Sequence, residues 1–300
     1  MVRVAVRKSA PPGTAGWPRV VTGAGGSRVE GCDVRKGYVD SRFGQLHVVE
    51  EGHGQPVLFL HQTPRSWDEY RDVLPIVGRQ ARAIAMDTVG YGASARLAQR
   101  QTVELFADGV EDVIDALGLE RPVLVGHHTG GVVALEVAAR RGSAVAGLVL
   151  SGTPYVDEAR RHQVATSRPP IDHVDVVADG SHLTTLWNRR RPYYPADRPD
   201  LLSRLVADAC RVIDRAEEGH LAVNAYRMED RISLVVAPTL VVCGEQDDFS
   251  MPDVPRLVAA IAGADRRTLP GTGVPSVDHH PEDFAATVLE FVRTLAPAGS

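Results

Sequence analysis

The feature that most constrains the fold is a strand, a tight turn and a helix within residues 121–141. The short apolar run at 123–125 predicts a buried strand. It is followed by the glycine-flanked turn Gly126-His-His-Thr-Gly130, and residues 129–141 then carry apolar and small residues at helical spacing. Glycines permit a strained turn and a close approach of the helix to the strand. The segment therefore predicts one strand of a sheet, with His128 at the tip of the turn that follows it.

Strand and helix patterns alternate along much of the remaining chain. The predicted strands are 37–50, taken as a hairpin through Phe43 and Gly44, and then 56–61, 81–87, 147–151, 239–243 and 267–269. The predicted helices are 67–77, 102–117, 183–190, 201–217, 220–230, 252–261 and 281–295. Alternation of this kind indicates a mostly parallel sheet with helices on both faces.

The alternation stops in the middle of the chain, which predicts an insertion. Residues 37–153 are predicted to form the first half of an α/β core, 154–233 a helical lid, and 234–300 the second half of the core. Residues 1–36 are rich in glycine, proline, serine and alanine, and we expect an N-terminal extension with little structure. The alternative for this stretch is a start codon assigned too far upstream.

Composition narrows the classes of function. In a chain of 300 residues, 44% hydrophobic and 24% charged residues are ordinary for a soluble enzyme. The net charge of −5 gives no basic surface for nucleic acid, and no segment is apolar for long enough to span a membrane. The three cysteines lack metal-ligand spacing and indicate free thiols. We expect a cytoplasmic protein with a small-molecule substrate, no cofactor and no metal, and the oligomeric state stays open.

Four segments in order resemble the α/β-hydrolase superfamily from about residue 37 to the C-terminus. They are Leu58-Phe-Leu-His61, Met86-Asp-Thr-Val-Gly-Tyr-Gly-Ala-Ser94, Gly126-His-His-Thr-Gly130 and Pro238-Thr-Leu-Val-Val-Cys-Gly-Glu-Gln-Asp247. They match the family's strand ending in His-Gly, its Asp-x-x-Gly-x-Gly-x-Ser loop, its nucleophile elbow and the segment that carries its triad acid. The resemblance implies an α/β-hydrolase fold, a mostly parallel sheet flanked by helices with an inserted helical lid.

The catalytic residues of the family carry over unevenly. Asp247 matches the triad acid, but His128 stands where the nucleophile is expected. Aligned without gaps, the position of the triad histidine holds Val274. His279 and His280 follow on the same loop, and a shifted loop would bring one of them into the place of the base. A serine-type acyl-enzyme is therefore not expected, since it needs a nucleophile with an adjacent base.

A histidine beside a carboxylate is suited to proton transfer, because its ordinary pKa lies near neutrality. We hypothesise that His128 fills the space left by the missing triad histidine and contacts Asp247. The backbone N–H groups of Thr129, and of Gln62 or Thr63, are the expected donors to a developing oxyanion or enolate. Such a site favours a cofactor-independent carbon–carbon lyase, cyclase, decarboxylase or isomerase acting on a carbonyl compound. Two alternatives remain: hydrolysis of an ester, lactone or epoxide by activated water, and a receptor that binds without turnover.

Several other side chains are candidates for the substrate pocket. They are His61 and Arg65 near the oxyanion loop, Val274 at the vacated position, Tyr155, Glu217 and His220 near the cleft, and His182 and Trp187 in the lid. For three histidine and tryptophan side chains, a purely structural role is the alternative interpretation. His61 would organise its own loop, Trp187 would pack the core of the lid, and His127 would be structural.

Overall fold

A single sheet of eight strands organises residues 34–167 and 170–295, which are the residues that the computed structural model describes. The strands are β1 (Arg35–Ser41), β2 (Gly44–Glu51), β3 (Pro56–Leu60), β4 (Arg82–Met86), β5 (Val123–His127), β6 (Gly147–Ser151), β7 (Thr239–Gly244) and β8 (Asp265–Leu269). They lie side by side in the order β1-β2-β4-β3-β5-β6-β7-β8. β2 is antiparallel to both neighbours, and the other pairs are parallel. The predicted α/β architecture with a mostly parallel sheet is confirmed.

Helices cover the sheet and fill the segment between β6 and β7. They are α1 (Leu74–Val77), α2 (Val103–Ala116), α3 (Thr129–Arg141), α4 (Glu158–Ser167), α5 (Ser181–Arg190), α6 (Pro199–Arg211), α7 (Glu218–Ala225), α8 (Val254–Ala260), α9 (Ser276–His279) and α10 (Pro281–Leu295). α3 packs on β5 and β6, and α10 packs on β6 and β8. α4 to α7 follow β6 and precede β7 in the chain, so they form a helical region inserted between these two strands in sequence.

Some elements differ from the expected ones for local reasons. The helix expected at 67–77 is a 3-10 turn at Trp67–Tyr70 followed by α1, and Pro75 stands at the first turn of α1. Proline lacks the N–H that a continuous helix would use there, so it starts a new helix instead of extending the old one. β1 already begins at Arg35, inside the stretch expected to have little structure, and residues 1–33 of that stretch lie outside the described residues.

The turn between β5 and α3 lies at the centre of the sheet. All five residues of β5 are buried, as are the first ten of α3. Gly126 and Gly130 leave no space for side chains, because a β-carbon on either would collide with backbone atoms. The packing thus fixes His128 at the carboxyl end of a central strand.

In the described part of the chain, no helix is both long and apolar enough to cross a membrane.

Candidate functional site

His128 occupies the tip of the turn in a strained conformation. Its φ of 45° and ψ of −111° are unusual for a residue with a side chain. Such strain costs about 1–3 kcal/mol, and it persists only where the surrounding structure enforces it. The turn is held by hydrogen bonds from the His128 N–H to the Ser151 carbonyl at 2.9 Å and from the Gly131 N–H to the His128 carbonyl at 3.0 Å. The backbone therefore presents this ring at a fixed point above the sheet.

The His128 ring lies next to Asp247. His128 Nε2 is 3.7 Å from Asp247 Oδ2, which is ion-pair distance but longer than a normal hydrogen bond. A ring displacement of less than about 1 Å would close that gap. The side chain of His128 is 12% exposed, whereas that of Asp247 is 1% exposed. The histidine can therefore meet a ligand, while the carboxylate contacts it from behind.

Asp247 is held rigidly at the end of β7. Its Oδ1 accepts hydrogen bonds from the N–H groups of Phe249 at 3.1 Å and Ser250 at 3.0 Å. Burial raises the pKa of this carboxyl above its ordinary value, against these hydrogen bonds, which favour the charged form. Oδ2 is the oxygen that faces the histidine. A buried carboxylate with one oxygen already bound is well placed to orient a neighbouring imidazole.

His127 has a structural position beneath the turn. Its Nε2 lies 3.0 Å from the Val274 carbonyl and its Nδ1 lies 3.0 Å from the Ser151 hydroxyl. Because a carbonyl only accepts, Nε2 carries the hydrogen and the serine hydroxyl donates to Nδ1. Burial lowers the pKa of His127 to about 3, so the ring is neutral near pH 7. The ring ties the loop that carries Val274 to the elbow.

A cavity opens over His128. Its volume is about 50 Å³. Its polar walls come from Gln62, His128, Thr129, Arg160, Arg190, His220 and Asn224. Its apolar walls come from Pro154, Ile171, Val223, Phe249 and Val274, with Tyr193 at the side. A cavity that combines apolar walls with convergent polar groups is typical of a site for a small organic molecule.

The expected oxyanion donors are only partly available. The Thr129 N–H is at the start of α3, where no intrahelical partner exists, and no hydrogen bond to it occurs among the described residues. The Gln62 N–H donates instead to Glu69 at 2.9 Å, so this predicted donor is corrected. Thr63 is buried, its hydroxyl is 2.9 Å from that of Thr129, and it does not line the cavity. Thr129 is thus the donor best placed for a developing negative charge.

Two expected pocket residues near the oxyanion loop are structural instead. His61 is buried away from the cavity, with Nδ1 2.7 Å from the Gln62 carbonyl and Nε2 accepting from the Thr88 N–H at 2.9 Å. Arg65 is fully buried, and Asp208 and Asp278 bind its guanidinium. The expectation that Arg65 contacts a substrate anion is wrong, because its positive charge is already paired with these two carboxylates.

Three further candidates do not line the cavity either. Tyr155 stacks on the Arg256 guanidinium at 4.1 Å. His182 accepts a hydrogen bond from the Val177 N–H at 3.3 Å. Trp187 packs against a cluster formed by Tyr194, Leu201, Leu202 and Leu205, as in the alternative interpretation that it packs the core of the helical region. The contacts that hold these three side chains come from other residues of the fold, so the sequence alone did not decide which way they face.

The remaining histidines of the last loop also lie away from the cavity. His279 Nδ1 is 3.2 Å from the Thr272 hydroxyl, and His280 Nδ1 is 3.3 Å from Asp283. Neither ring lines the space over His128. Val274 does line it, at the position where the family pattern has its histidine. The loop therefore brings no second imidazole to His128 from this direction.

A cluster around Asp172, which the sequence did not single out, also reaches the cavity. Arg190 and His220 line it, and both contact the buried carboxylate of Asp172. Arg190 follows Asp172 by 18 residues in the chain. His220 was one of several possible cleft residues, but Asp172 had no motif around it. Pairing across such separations leaves no periodic signal in the sequence.

The chain is similar in sequence to known proteins. A family model described as the alpha/beta hydrolase fold matches residues 55–168. Haloalkane dehalogenase 2 of Mycobacterium tuberculosis is 28% identical over 84% of this chain and 93% of its own length. A 2-hydroxy-6-oxo-6-(2'-aminophenyl)hexa-2,4-dienoic acid hydrolase of Metapseudomonas resinovorans is 27% identical over 88% of this chain and 91% of its own.

Solved structures agree on the fold. The enol-lactonase from Burkholderia xenovorans LB400 superposes with a TM-score of 0.70 at 20% identity, covering 86% of this chain and all of that one. At 20% sequence identity, this similarity shows the fold alone. The family match, the strand order and the strained turn between β5 and α3 agree with one another. This chain has the α/β-hydrolase fold, and its residues 55–168 match the model of that family.

Proposed function

We propose that this chain is a cofactor-independent enzyme in which His128, paired with Asp247, moves a proton on a carbonyl-containing small molecule. The observation that carries the proposal is the position of His128. It stands at the strained elbow, it lines the cavity, and its Nε2 is 3.7 Å from the buried carboxylate. An imidazolium formed by proton uptake would be stabilised by that carboxylate.

Serine-type covalent catalysis finds no support at this elbow. The residue at its tip carries an imidazole in place of a hydroxyl. The next residue, Thr129, has its hydroxyl 2.9 Å from that of Thr63. At the place of a triad histidine stands Val274, whose carbonyl accepts from His127. A hydroxyl nucleophile with its own base is therefore replaced by one imidazole and one carboxylate.

These groups favour chemistry through an enolate or a similar oxyanion. His128 would remove a proton from the substrate, and the Thr129 N–H at the start of α3 would stabilise the negative charge that develops on oxygen. Carbon–carbon bond cleavage, decarboxylation, cyclisation and isomerisation all use such an intermediate. The apolar walls would exclude bulk water, which strengthens both interactions.

A second candidate is hydrolysis by water that the same pair activates. The names of the compared relatives favour it, since one is a dienoic acid hydrolase and another a haloalkane dehalogenase. In this version His128 removes a proton from water, and the hydroxide attacks the substrate without a covalent enzyme intermediate. The two candidates use the same residues and differ in whether oxygen from water enters the product.

The proposal can be tested with the substrate that names one relative. 2-Hydroxy-6-oxo-6-(2'-aminophenyl)hexa-2,4-dienoic acid, here called the dienol acid, combines a conjugated enol with a carbonyl, and its absorbance reports both tautomerisation and cleavage. Ester and epoxide hydrolysis are followed in parallel with 4-nitrophenyl acetate and styrene oxide. His128→Ala is compared with His53→Ala, a substitution at an exposed histidine. The His128 variant is expected to lose about 10²- to 10⁴-fold in rate, and the control nothing.

Isotopes separate the two candidates. Incorporation of deuterium from heavy water without oxygen-18 from labelled water supports proton transfer on carbon, whereas oxygen-18 in the product supports hydrolysis. A folded His128→Ala protein that keeps the wild-type rate contradicts both. Binding of the dienol acid with no turnover of any compound would assign the chain to the binding proteins instead.

A further inference from the structure

A second histidine, His220 of α7, lines the same cavity as His128. Its side chain is 18% exposed. His220 Nδ1 is 3.2 Å from Asp172 Oδ2 and 3.8 Å from Glu217 Oε1. Nε2 makes no hydrogen bond within residues 34–167 and 170–295. Nδ1 thus lies at ion-pair distance from two carboxylates, although neither contact has the angles of a hydrogen bond. Nε2 is the ring nitrogen that remains for a ligand.

The carboxylates beside His220 are fixed by their own partners. Arg190 donates from Nε to Asp172 Oδ1 at 2.7 Å and from Nη2 to Oδ2. The N–H groups of Ile171 and Asp172 donate to Glu217 Oε2 at 2.9 and 2.7 Å. Burial alone would raise the pKa of Asp172, but Arg190 and His220 outweigh it and lower the pKa to about 2. Asp172 is therefore ionised at neutral pH, and a small rotation of the His220 ring would let it accept a hydrogen bond from Nδ1.

Asp172, Glu217 and His220 also have the composition of a cation site, since their ligand atoms lie within 4.8 Å of one another. The Arg190 guanidinium argues against that use. It binds both oxygens of Asp172 and places a positive charge beside one of the three candidate ligands. A histidine supported by a carboxylate, which is in turn paired with arginine, is better suited to exchanging a proton.

We propose that His220 is a second catalytic residue, which exchanges a proton with the substrate through Nε2 while His128 exchanges another. This inference rests on the proposed function of His128 and adds its partner. Tautomerisation of an enol needs one group to remove the hydroxyl proton and another to deliver a proton to carbon. With neutral His128 as the base and protonated His220 as the acid, the substrate gains and loses one proton, and the histidines exchange their protonation states.

Both histidines then return to their starting states through solvent, so no oxidant or co-reactant is required. The charged and titratable side chains around this path are the carboxylates of Asp172, Asp247 and Glu217, the guanidinium groups of Arg160 and Arg190, and the phenol of Tyr193. The two histidine–carboxylate pairs would act together as one proton-transfer site. Such an arrangement predicts a rate that depends on two ionisations.

The test measures the pH dependence of dienol acid consumption by the wild type, His220→Gln and His128→Ala. Glutamine keeps a polar planar side chain but does not titrate. His173→Gln is the control, because His173 is the exposed neighbour of Asp172 in the chain. We expect His220→Gln to lose about 10²-fold in rate and one limb of a bell-shaped profile, with unchanged thermal unfolding. The control should keep the wild-type rate and both limbs.

Chemical rescue guards against a merely structural effect. In His220→Ala, added imidazole should restore part of the rate, and substituted imidazoles should restore it according to their own basicity. Wild-type kinetics in His220→Gln, or loss of rate with an unchanged profile and no rescue, would overturn the role of His220. Stoichiometric zinc bound by the wild type but not by His220→Ala would overturn it in favour of a metal site. Full activity in His128→Ala would instead overturn the proposed function itself, so the two failures are distinguishable.

Discussion

Gly152 offers a way to disturb the contact between His128 and Asp247 without replacing either residue. It has a positive φ of 51°, and a β-carbon built on it would lie 3.0 Å from His128 Nε2 and 3.3 Å from Asp247 Oδ2. The backbone is held on both sides, since the Gly152 N–H donates to Val242 at 2.8 Å and its carbonyl accepts from the Ser250 hydroxyl at 2.8 Å. In Gly152→Ala, the ring and the carboxylate must therefore give way.

The magnitude follows from two separate costs. Placing an alanine at positive φ lowers the free energy of unfolding by about 1–2 kcal/mol. The overlap with the histidine ring forces a displacement of a few tenths of an ångström and adds about 1 kcal/mol or more. Gly118→Ala is the matched control, because Gly118 has a φ of 57° and nothing lies within 4 Å of its β-carbon. Urea unfolding should thus show a larger loss of stability for Gly152→Ala than for Gly118→Ala.

The effect on activity separates the two variants more sharply. We expect dienol acid consumption by Gly152→Ala to fall about 10-fold or more, which corresponds to about 1.4 kcal/mol in the barrier, because the proton-transfer geometry is disturbed. Gly118→Ala should retain the wild-type rate. Equal rates for the two variants, with Gly152→Ala folded, would refute the view that the contact between His128 and Asp247 matters for turnover.

Three further predictions test other parts of the structure. His127 is neutral in the folded protein with a pKa of about 3, so the unfolded chain binds one more proton below about pH 6.5, and the free energy of unfolding should fall by a few kcal/mol as the pH drops from there towards 3. In urea unfolding, His127→Gln should weaken this pH dependence and His53→Gln should not. Equal pH dependence in the two variants would contradict the neutral state of His127. Arg65→Ala should cost about 3–5 kcal/mol in unfolding free energy, since it leaves buried carboxylates unpaired, whereas Arg71→Ala at a half-exposed pair should cost about 1 kcal/mol or less; similar losses would argue against the buried network. A serine-directed fluorophosphonate should fail to label the wild type, and labelling at the elbow would contradict the loss of the nucleophile.

The architecture was predictable because it is encoded in local patterns. Apolar runs with glycine-rich turns mark the strands, and the two glycines around His128 mark the elbow. The position of α10 was also evident, since Pro281 and two acidic residues mark its start. The break in the helix expected at 67–77 was less evident, although Pro75 carries the physical reason for it.

Much of the site could not be predicted, because it depends on pairing between distant segments. Arg65 looked available for a substrate anion until Asp208 and Asp278 were found to bind it from positions far along the chain. The Gln62 N–H looked like an oxyanion donor until it was found bound to the side chain of Glu69. Ion pairs and hydrogen bonds of this kind have no sequence period, and only the folded chain reveals them.

The central claim is that His128 and Asp247 act as one proton-transfer unit, and a double-mutant cycle tests it most directly. The rate of dienol acid consumption is measured for the wild type, His128→Ala, Asp247→Asn and the double variant, each checked for folding by its thermal unfolding. If the pair acts as a unit, each single substitution lowers the rate by about 10²-fold or more, and the double variant is no slower than His128→Ala. Losses that multiply independently, or a His128→Ala enzyme as fast as the wild type, would contradict the claim.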